Sequence, residues 1–550
     1  MWLDGVLSKL YLLRPFRRVG KVIQIAVEQI TYKNIDPKVR RTIMFGLGLA
    51  MLAACFDGTI VGTCAPIIAQ DLNGTELYAW MVTAYLLCET IMIPIAGKLS
   101  DLYGRKPLFL IGLGVFVLGS ILAGLSTSME MFIVCRGMQG LGGGILIPVA
   151  TAAVADLYSP RDRARIQGIL GAVFGIGSGI GPLLGGYIND FAGWHWLFYI
   201  NVPLALVSFL LTIKKFPTPI RDDKPSIDYK GIALLTLFIA DILLFFEWAG
   251  KDFEWISVQS VVMIAVALAL LVVFCIVERK AVEPILSPSL LKNRTVIMAS
   301  VFMFIFGIGM MGAMMYSSMF SISVLGYTPL QAGEYSLAMV AGMMITAMSS
   351  GALVNKTGYR PWLIAGPIIT FAGLMLMSRM NPDTTAEYLM MCLFVFGFGL
   401  GCMMSVIMTA VQNSSKSREM GMTTSSVNLI RSIGATIGTA IFSMVINNKL
   451  SGELSGLVPP EIYDIIPHDT GVLDALASAA ANVMAGVGTP LDMGILSQAE
   501  NIILAFSNSV DFSFLVGGFI ILFLLVIGIF FKVQVPKDDE DMESESTVIE

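Results

Sequence analysis

The sequence predicts an all-α polytopic membrane protein with fourteen spans, and three observations carry that expectation. Of its 550 residues, 56% are hydrophobic and only 14% charged, against about 25% charged in soluble proteins. The mean hydropathy is +0.78, too apolar for a chain kept dispersed by a water-facing surface. Apolar stretches of about 20 residues, long enough to cross a bilayer as helices, recur along nearly the whole chain.

The apolar segments fall at 42–68, 77–97, 107–126, 131–155, 166–189, 196–213, 230–249, 256–277, 296–322, 332–353, 361–379, 387–410, 421–446 and 511–531. An even number puts both termini on one side. With that side cytoplasmic, thirty of the thirty-five Lys and Arg lie inside. Three (Lys251, Arg379, Lys449) lie outside and two (Arg136, Arg431) within spans, the asymmetry that the positive-inside rule describes. We therefore expect a multi-pass protein of the cytoplasmic (plasma) membrane with both termini in the cytoplasm. The expected organisation is a basic extension over 1–40, spans 1 to 6 over 41–214, two inserted spans over 215–293, spans 9 to 14 over 294–531 and a tail over 532–550.

Three peripheral segments have readings of their own. In the extension, Val19, Val22, Ile23, Ala26, Val27 and Ile30 follow helical spacing beside Arg17, Arg18 and Lys21. This pattern suits a helix lying in the inner interface, with a disordered basic tail as the alternative. Segment 447–510 contains Pro459, Pro460, Pro467 and Pro490; two short amphipathic helices over the outer face are expected there, or else a flexible lid. Acids crowd Asp538 to Glu550, as in a solvated tail.

The composition also limits the chemistry. Two histidines, His195 and His468, and seven cysteines without a CxxC pair offer no ligand set, so neither a metal nor a cofactor is expected. No catalytic constellation appears, and the net charge of −5 gives no sign of a nucleic-acid partner.

The chain repeats itself. After span 2 it reads Gly97-Lys-Leu-Ser-Asp101-Leu-Tyr-Gly104-Arg105-Lys106, and after span 10 Gly351-Ala-Leu-Val-Asn355-Lys-Thr-Gly358-Tyr-Arg360. Gly140-Leu-Gly142 in span 4 matches Gly399-Leu-Gly401 in span 12. Two parallel six-span halves with a site between them near the midplane describe a secondary transporter.

The first of these loops resembles the signature loop of the major facilitator superfamily, and other segments narrow the likeness to its fourteen-span drug:proton antiporter family. They are Phe56-Asp57-Gly-Thr59-Ile-Val61 through Pro66, Arg136-Gly-Met-Gln139-Gly140-Leu-Gly142-Gly143-Gly144, Gly175-Ile-Gly177-Ser-Gly179-Ile-Gly181-Pro182-Leu-Leu-Gly185-Gly186, and Trp194-His-Trp196-Leu-Phe198-Tyr-Ile-Asn201-Val-Pro203. The likeness covers about 40–531. It implies the major facilitator fold and proton-coupled export, by a monomer, of small amphiphilic compounds that are cationic or neutral. A lipid or lipid-conjugate exporter on the same scaffold is the alternative, and a membrane receptor or enzyme a more distant one.

Each motif has a physical task. Asp57 lies in span 1, where an acid is costly and usually faces a cavity or ion path. Exchanging a proton there near neutral pH takes about 4 kcal/mol of differential stabilisation between its two protonation states. The resemblance makes it a coupling or substrate-contacting acid; the alternative is a structural acid bonded to a neighbouring helix. Glu89 in span 2, with Tyr85 one turn away, is either a second proton site, a contact for a cation, or a structural acid. Asp241 in span 7 reads as structural or interfacial. Arg136 and Gln139, three apart, share one face of span 4, and by resemblance the arginine tunes the proton site. Their second-half equivalents are apolar: Val395 stands where Arg136 does and Met311 where Asp57 does, so the proton chemistry is expected in the first half alone. Arg431 in span 13 either anchors the inner end or contacts an anion.

The loop Gly97–Lys106 reads as an inner latch: Gly97 permits close approach, and Asp101 can pair with Arg105 or with a helix N-terminus. Gly104 and Lys106 complete it, family analogy sets the inner end of span 13 opposite, and Asn355 makes the second-half copy weaker. Gly177, Gly181, Pro182, Gly185 and Gly186 provide small faces and a kink, which the resemblance assigns to outer closure against span 10, with packing alone as the alternative. Spans 9 and 10 are rich in Met, among them Met311 and Met315, whose adaptable thioethers suit a cavity wall or plain core filling. The expected cavity is lined by Asp57, Tyr85, Glu89, Gln139, Met311 and Met315.

Overall fold

The computed structural model describes residues 35–214, 216, 227–250, 253–286, 290–416, 419–484, 488–531 and 533. The interfacial helix expected over 19–30 and the acidic tail lie outside these residues. The described residues form eighteen α-helices: α1 Pro37–Asp71, α2 Tyr78–Tyr103, α3 Arg105–Gly124, α4 Met129–Leu157, α5 Pro160–Ala192, α6 His195–Tyr199, α7 Asn201–Thr212, α8 Tyr229–Trp248 and α9 Val258–Glu278 in the first part of the chain. There follow α10 Arg294–Ser323, α11 Pro329–Thr357, α12 Arg360–Met377, α13 Ala386–Asn413, α14 Met420–Leu457, α15 Pro460–Tyr463, α16 Val472–Met484, α17 Pro490–Ser497 and α18 Ala499–Phe530.

Thirteen helical stretches, with α6 and α7 counted together, are long and apolar enough to cross a bilayer. Helix α5, bent by 44° between Gly181 and Leu183, is the fourteenth. Every apolar segment of the sequence falls on one of them. Starts are marked by caps: Asp36, Ser159 and Thr328 each accept a backbone N–H of the helix that follows, and each is followed by proline. Proline at the first helical position has no N–H to leave unpaired.

The sequence is least informative where helices outrun the apolar stretch. Helix α14 continues to Leu457, past the expected end at 446, because the chain meets no breaker until Pro459. A Lys449–Glu453 ion pair at 2.8 Å, one turn apart, lies along the extension. Helix α18 begins at Ala499 rather than 511, and Asn508 donates to Glu453 at 3.1 Å, tying the two projecting ends together. Three short helices, α15 to α17, bridge them where two were expected.

The buried core falls into groups that follow the duplication. One joins α10 to α14 and α18 through residues such as Phe302, Phe306, Phe396 and Phe514. Two others occupy the first half, around Phe109 and Phe116 and around Phe132, Trp194 and Phe198. A fourth packs Leu235, Ile239 and Leu243 of α8 and Phe274 of α9 against Ile93 of α2 and Leu429 of α14. The inserted pair thus covers the seam where the two halves meet at α2 and α14. Helix α9 turns Val261, Val262, Leu268 and Val272 outward, all exposed, as a lipid-facing helix does.

Candidate transport site

Five polar side chains from four helices meet inside the first half. Asp57 of α1 accepts from Arg136 of α4 at 2.5 Å through Oδ2, and through Oδ1 from Gln139 at 2.6 Å and Asn201 of α7 at 2.9 Å. Ser120 of α3 accepts from Gln139 and Asn201, each at 3.1 Å, and donates to the Phe198 carbonyl. Arg136 also donates to Gln139 Oε1 at 2.7 Å and to the Met81 carbonyl at 3.3 Å, and lies 4.4 Å over the Tyr85 ring. Asp57, Gln139, Asn201 and Ser120 are wholly buried, Arg136 and Tyr85 nearly so. A buried ion pair holds only when its remaining hydrogen-bonding capacity is met, and here the surrounding amides and hydroxyl meet most of it.

Arg136 lies seven residues into α4 and Tyr85 seven into α2, about 10 Å from those helix starts at 1.5 Å per residue, and Asn201 opens α7. These starts lie toward the end opposite the Gly97–Lys106 turn, while Asp57 itself lies near the middle of α1.

At the turn itself Asp101 pairs with Arg105 at 2.6 Å and accepts the Gly421 and Met422 N–H groups at 2.9 and 2.7 Å. It therefore caps the N-terminus of α14, where the helix dipole favours a negative charge. Arg105 continues to Asp156 at 3.0 Å and to Ser100, and Lys98 reaches Glu283 at 2.6 Å beyond α9. A Cβ on Gly97 would overlap Ser425 and lie 2.7 Å from the Gly421 carbonyl. Gly104 has φ 91°, so α2 turns into α3 in a conformation only glycine adopts freely; Lys106 is half-buried on the first turn of α3. In the second copy the contacts are neutral or single-charged: Asn355 donates to the Arg161 carbonyl at 2.7 Å, and Asn413 joins Arg163 at 3.1 Å and Tyr359 at 2.9 Å. Both crossings hold this end of the molecule shut.

The glycines of α5 divide into two stripes. A Cβ on Gly177 or Gly181 would meet Cys55 or Thr59 of α1, and the Gly185 carbonyl accepts from Cys64 of α1. Gly168, Gly175, Gly179 and Gly186 instead face Ala347, Met343, Val340 and Leu330 of α11. Of the positions assigned to span 10, Gly186 meets α11, whereas Gly177, Gly181 and Gly185 meet α1. Spacings of four along one stripe and of four and seven along the other set them on different faces.

A small cavity of about 30 Å³ lies between the halves. It is lined by Met51 of α1, Thr151 of α4, Gln167 and Phe174 of α5, Ser405 and Met408 of α13, and Asn428 and Arg431 of α14, among others. None of the six residues expected to line a cavity is among them. Asp57, Gln139 and Tyr85 are taken up inside the first bundle, Tyr85 donating to the Ala54 carbonyl at 3.2 Å. Glu89 is half-buried and within electrostatic reach of Arg431. Met311 is half-buried and Met315 is 53% exposed. Asp241 of α8 leaves Oδ2 buried without a hydrogen-bond partner among the described residues.

Sequence reasoning missed Ser120, Thr151, Gln167, Ser405 and Asn428 as site residues. They are single polar positions scattered over apolar helices, and nothing local distinguishes them. Asn201 stood in a motif already noted, but its partner lies 144 positions away.

Two pseudo-equivalent helix bundles, latched at one end around a buried polar seam, define a membrane transporter. Residues 47–439 match the model of the Major Facilitator Superfamily. The Multidrug transporter protein MdtP of Bacillus subtilis (strain 168) is 35% identical over 460 residues, 84% of each chain. Multidrug resistance protein 3 of the same organism is 34% identical over 481 residues, 86% of this chain and 91% of the relative. Among solved structures, the proton:xylose symporter XylE superposes with a TM-score of 0.59 over 92% of this chain and 99% of its own, at 12% identity, a likeness of fold. The chain belongs to the Major Facilitator Superfamily and is a multi-pass membrane transporter, not an enzyme.

Proposed function

We propose that the chain is a monomeric proton-coupled antiporter of the plasma membrane that exports amphiphilic, cationic or neutral, drug-like compounds by alternating access. Its basic end, with both termini, faces the cytoplasm. The names of its two Bacillus relatives support the drug cargo. The observation that carries the coupling is the sealed Asp57 carboxyl, both of whose oxygens accept from Arg136, Gln139 or Asn201.

A proton reaches Asp57 only when Arg136 withdraws, since each carboxyl oxygen is otherwise held by a donor. Arg136 and Tyr85 come from the outer parts of α4 and α2, so opening on that side admits the proton. Protonation ends the attraction to Arg136, frees α1 to shift against α4 and lowers the affinity of the cargo. With the outer side closed, loss of the proton inside restores the pair. The Asp101 cap on α14 must break for the basic end to open, and it re-forms as that end shuts. Glu89, with Tyr85 one turn away, contributes to the proton path or to cation binding.

The test is proton movement in proteoliposomes on addition of cationic amphiphiles such as ethidium. Pulses of internal pH that follow each addition support antiport; a flat pH trace across a panel of such compounds removes it.

A further inference from the structure

We infer that the cavity between the halves holds an anion subsite, built by Arg431 and Asn428, for the carboxylate of an amphiphilic cargo. The inference rests on the export reading above and specifies the cargo: a compound, neutral or cationic overall, that carries an acid group beside a basic one.

Arg431 and Asn428 are three residues apart on α14 and so share one face. Both line the cavity. Arg431 is 8% and Asn428 5% exposed. Neither the Arg431 Nε nor the Asn428 Nδ2 has a hydrogen-bond partner among the described residues. Arg136, in the same fold, shows what a satisfied buried guanidinium looks like, with a carboxylate, an amide and a carbonyl around it. A buried donor without an acceptor is costly, and two side chains that line one cavity, each with a donor left unpaired, call for an acceptor that arrives from outside the chain.

Carboxylate chemistry fits this pair. Its two oxygens can accept from the flat edge of a guanidinium and from a neighbouring amide together, the planar recognition that arginine favours. The walls suit the rest of an amphiphile: the Phe174 ring lies 5.7 Å from the guanidinium carbon, and Met51 and Met408 line the same space. The groups facing Arg431 set the competition. Glu89 of α2 is within electrostatic reach but makes no ion pair with it, so an entering carboxylate meets Glu89 as a rival. Gln167, Thr151 and Ser405 complete the polar lining without charge.

The test uses purified full-length protein in lipid nanodiscs and two probes of one shape, 1-pyrenebutyrate and its uncharged methyl ester, read by energy transfer from tryptophan. Wild type is expected to bind the acid about tenfold more tightly than the ester, the scale of one charge-assisted hydrogen bond. Arg431→Gln should erase that preference by weakening the acid alone, and Asn428→Ala should reduce it by about threefold. Glu89→Gln should tighten the acid without affecting the ester, which a purely structural role for Arg431 does not predict. Equal affinity of wild type for acid and ester, or equal weakening of both by Arg431→Gln, overturns the subsite. Ethidium efflux by the wild type in proteoliposomes reports the export reading separately: its absence defeats that reading and this inference with it, while efflux without any acid preference defeats the subsite alone.

Discussion

Asp57 and Arg136, 79 positions apart in sequence, meet at 2.5 Å with neither side chain open to solvent. In the proposed mechanism their separation releases an acid to take up a proton and leaves a guanidinium without its carboxylate. Gln139 is bonded to both partners, so it transmits any movement of one to the other.

Removing only the cation should destabilise the protein markedly. Arg136→Gln leaves a buried carboxylate facing amides, a loss of about 3–5 kcal/mol for breaking a buried pair. Adding Asp57→Asn to it should recover most of that loss, because two neutral amides can bond each other. Thermal unfolding in detergent measures both variants, and a double variant no more stable than Arg136→Gln contradicts the pairing.

The Asp101 cap should govern how often the basic end opens. Asp101→Ala removes two acceptors from the α14 N-terminus and the partner of Arg105. Loss of a cap costs about 0.5–2 kcal/mol, so the open fraction should rise about twofold to thirtyfold. Spin-label distances between Tyr103→Cys and Lys416→Cys, both exposed positions of this end, read that fraction. An unchanged distance distribution counts against the latch.

The two glycine stripes predict a specific rescue. Gly179→Ala drives a methyl into Val340 of α11, and overpacking of this kind costs about 1–3 kcal/mol. Val340→Ala should relieve it. The same Val340→Ala change should do nothing for Gly177→Ala, whose methyl meets Cys55 and the Leu52 carbonyl of α1 at 2.7 and 3.2 Å. A double-mutant cycle on unfolding temperature decides, and rescue of both variants would merge the stripes into one.

What the sequence made legible follows from the bilayer. Apolar length marks the spans because hydrocarbon tolerates no unpaired backbone. The Asp101 turn and the Asp57, Arg136 and Gln139 positions could be singled out because charged or amide groups stand out on apolar helices. Less visible was which face each residue occupies. Gly177, Gly181 and Gly185 already carried a spacing of four that could have separated them from Gly175 and Gly179. The lengths of α14 and α18 were hidden because helix outside the bilayer need not be apolar. The cavity was hidden for another reason: Thr151, Gln167, Ser405 and Asn428 come from four helices, and only packing brings them together.

The central claim is that ionisation of Asp57 couples proton flow to export, and one comparison tests it most directly: internal pH and ethidium movement recorded together in proteoliposomes containing wild type or Asp57→Asn at matched protein density. The account predicts counterflow of protons and ethidium in the wild type. In Asp57→Asn, whose amide can still accept from Arg136, it predicts a folded protein in which ethidium no longer accumulates against its gradient and the pH trace is flat. Proton-driven accumulation of ethidium by Asp57→Asn at the wild-type rate would contradict it.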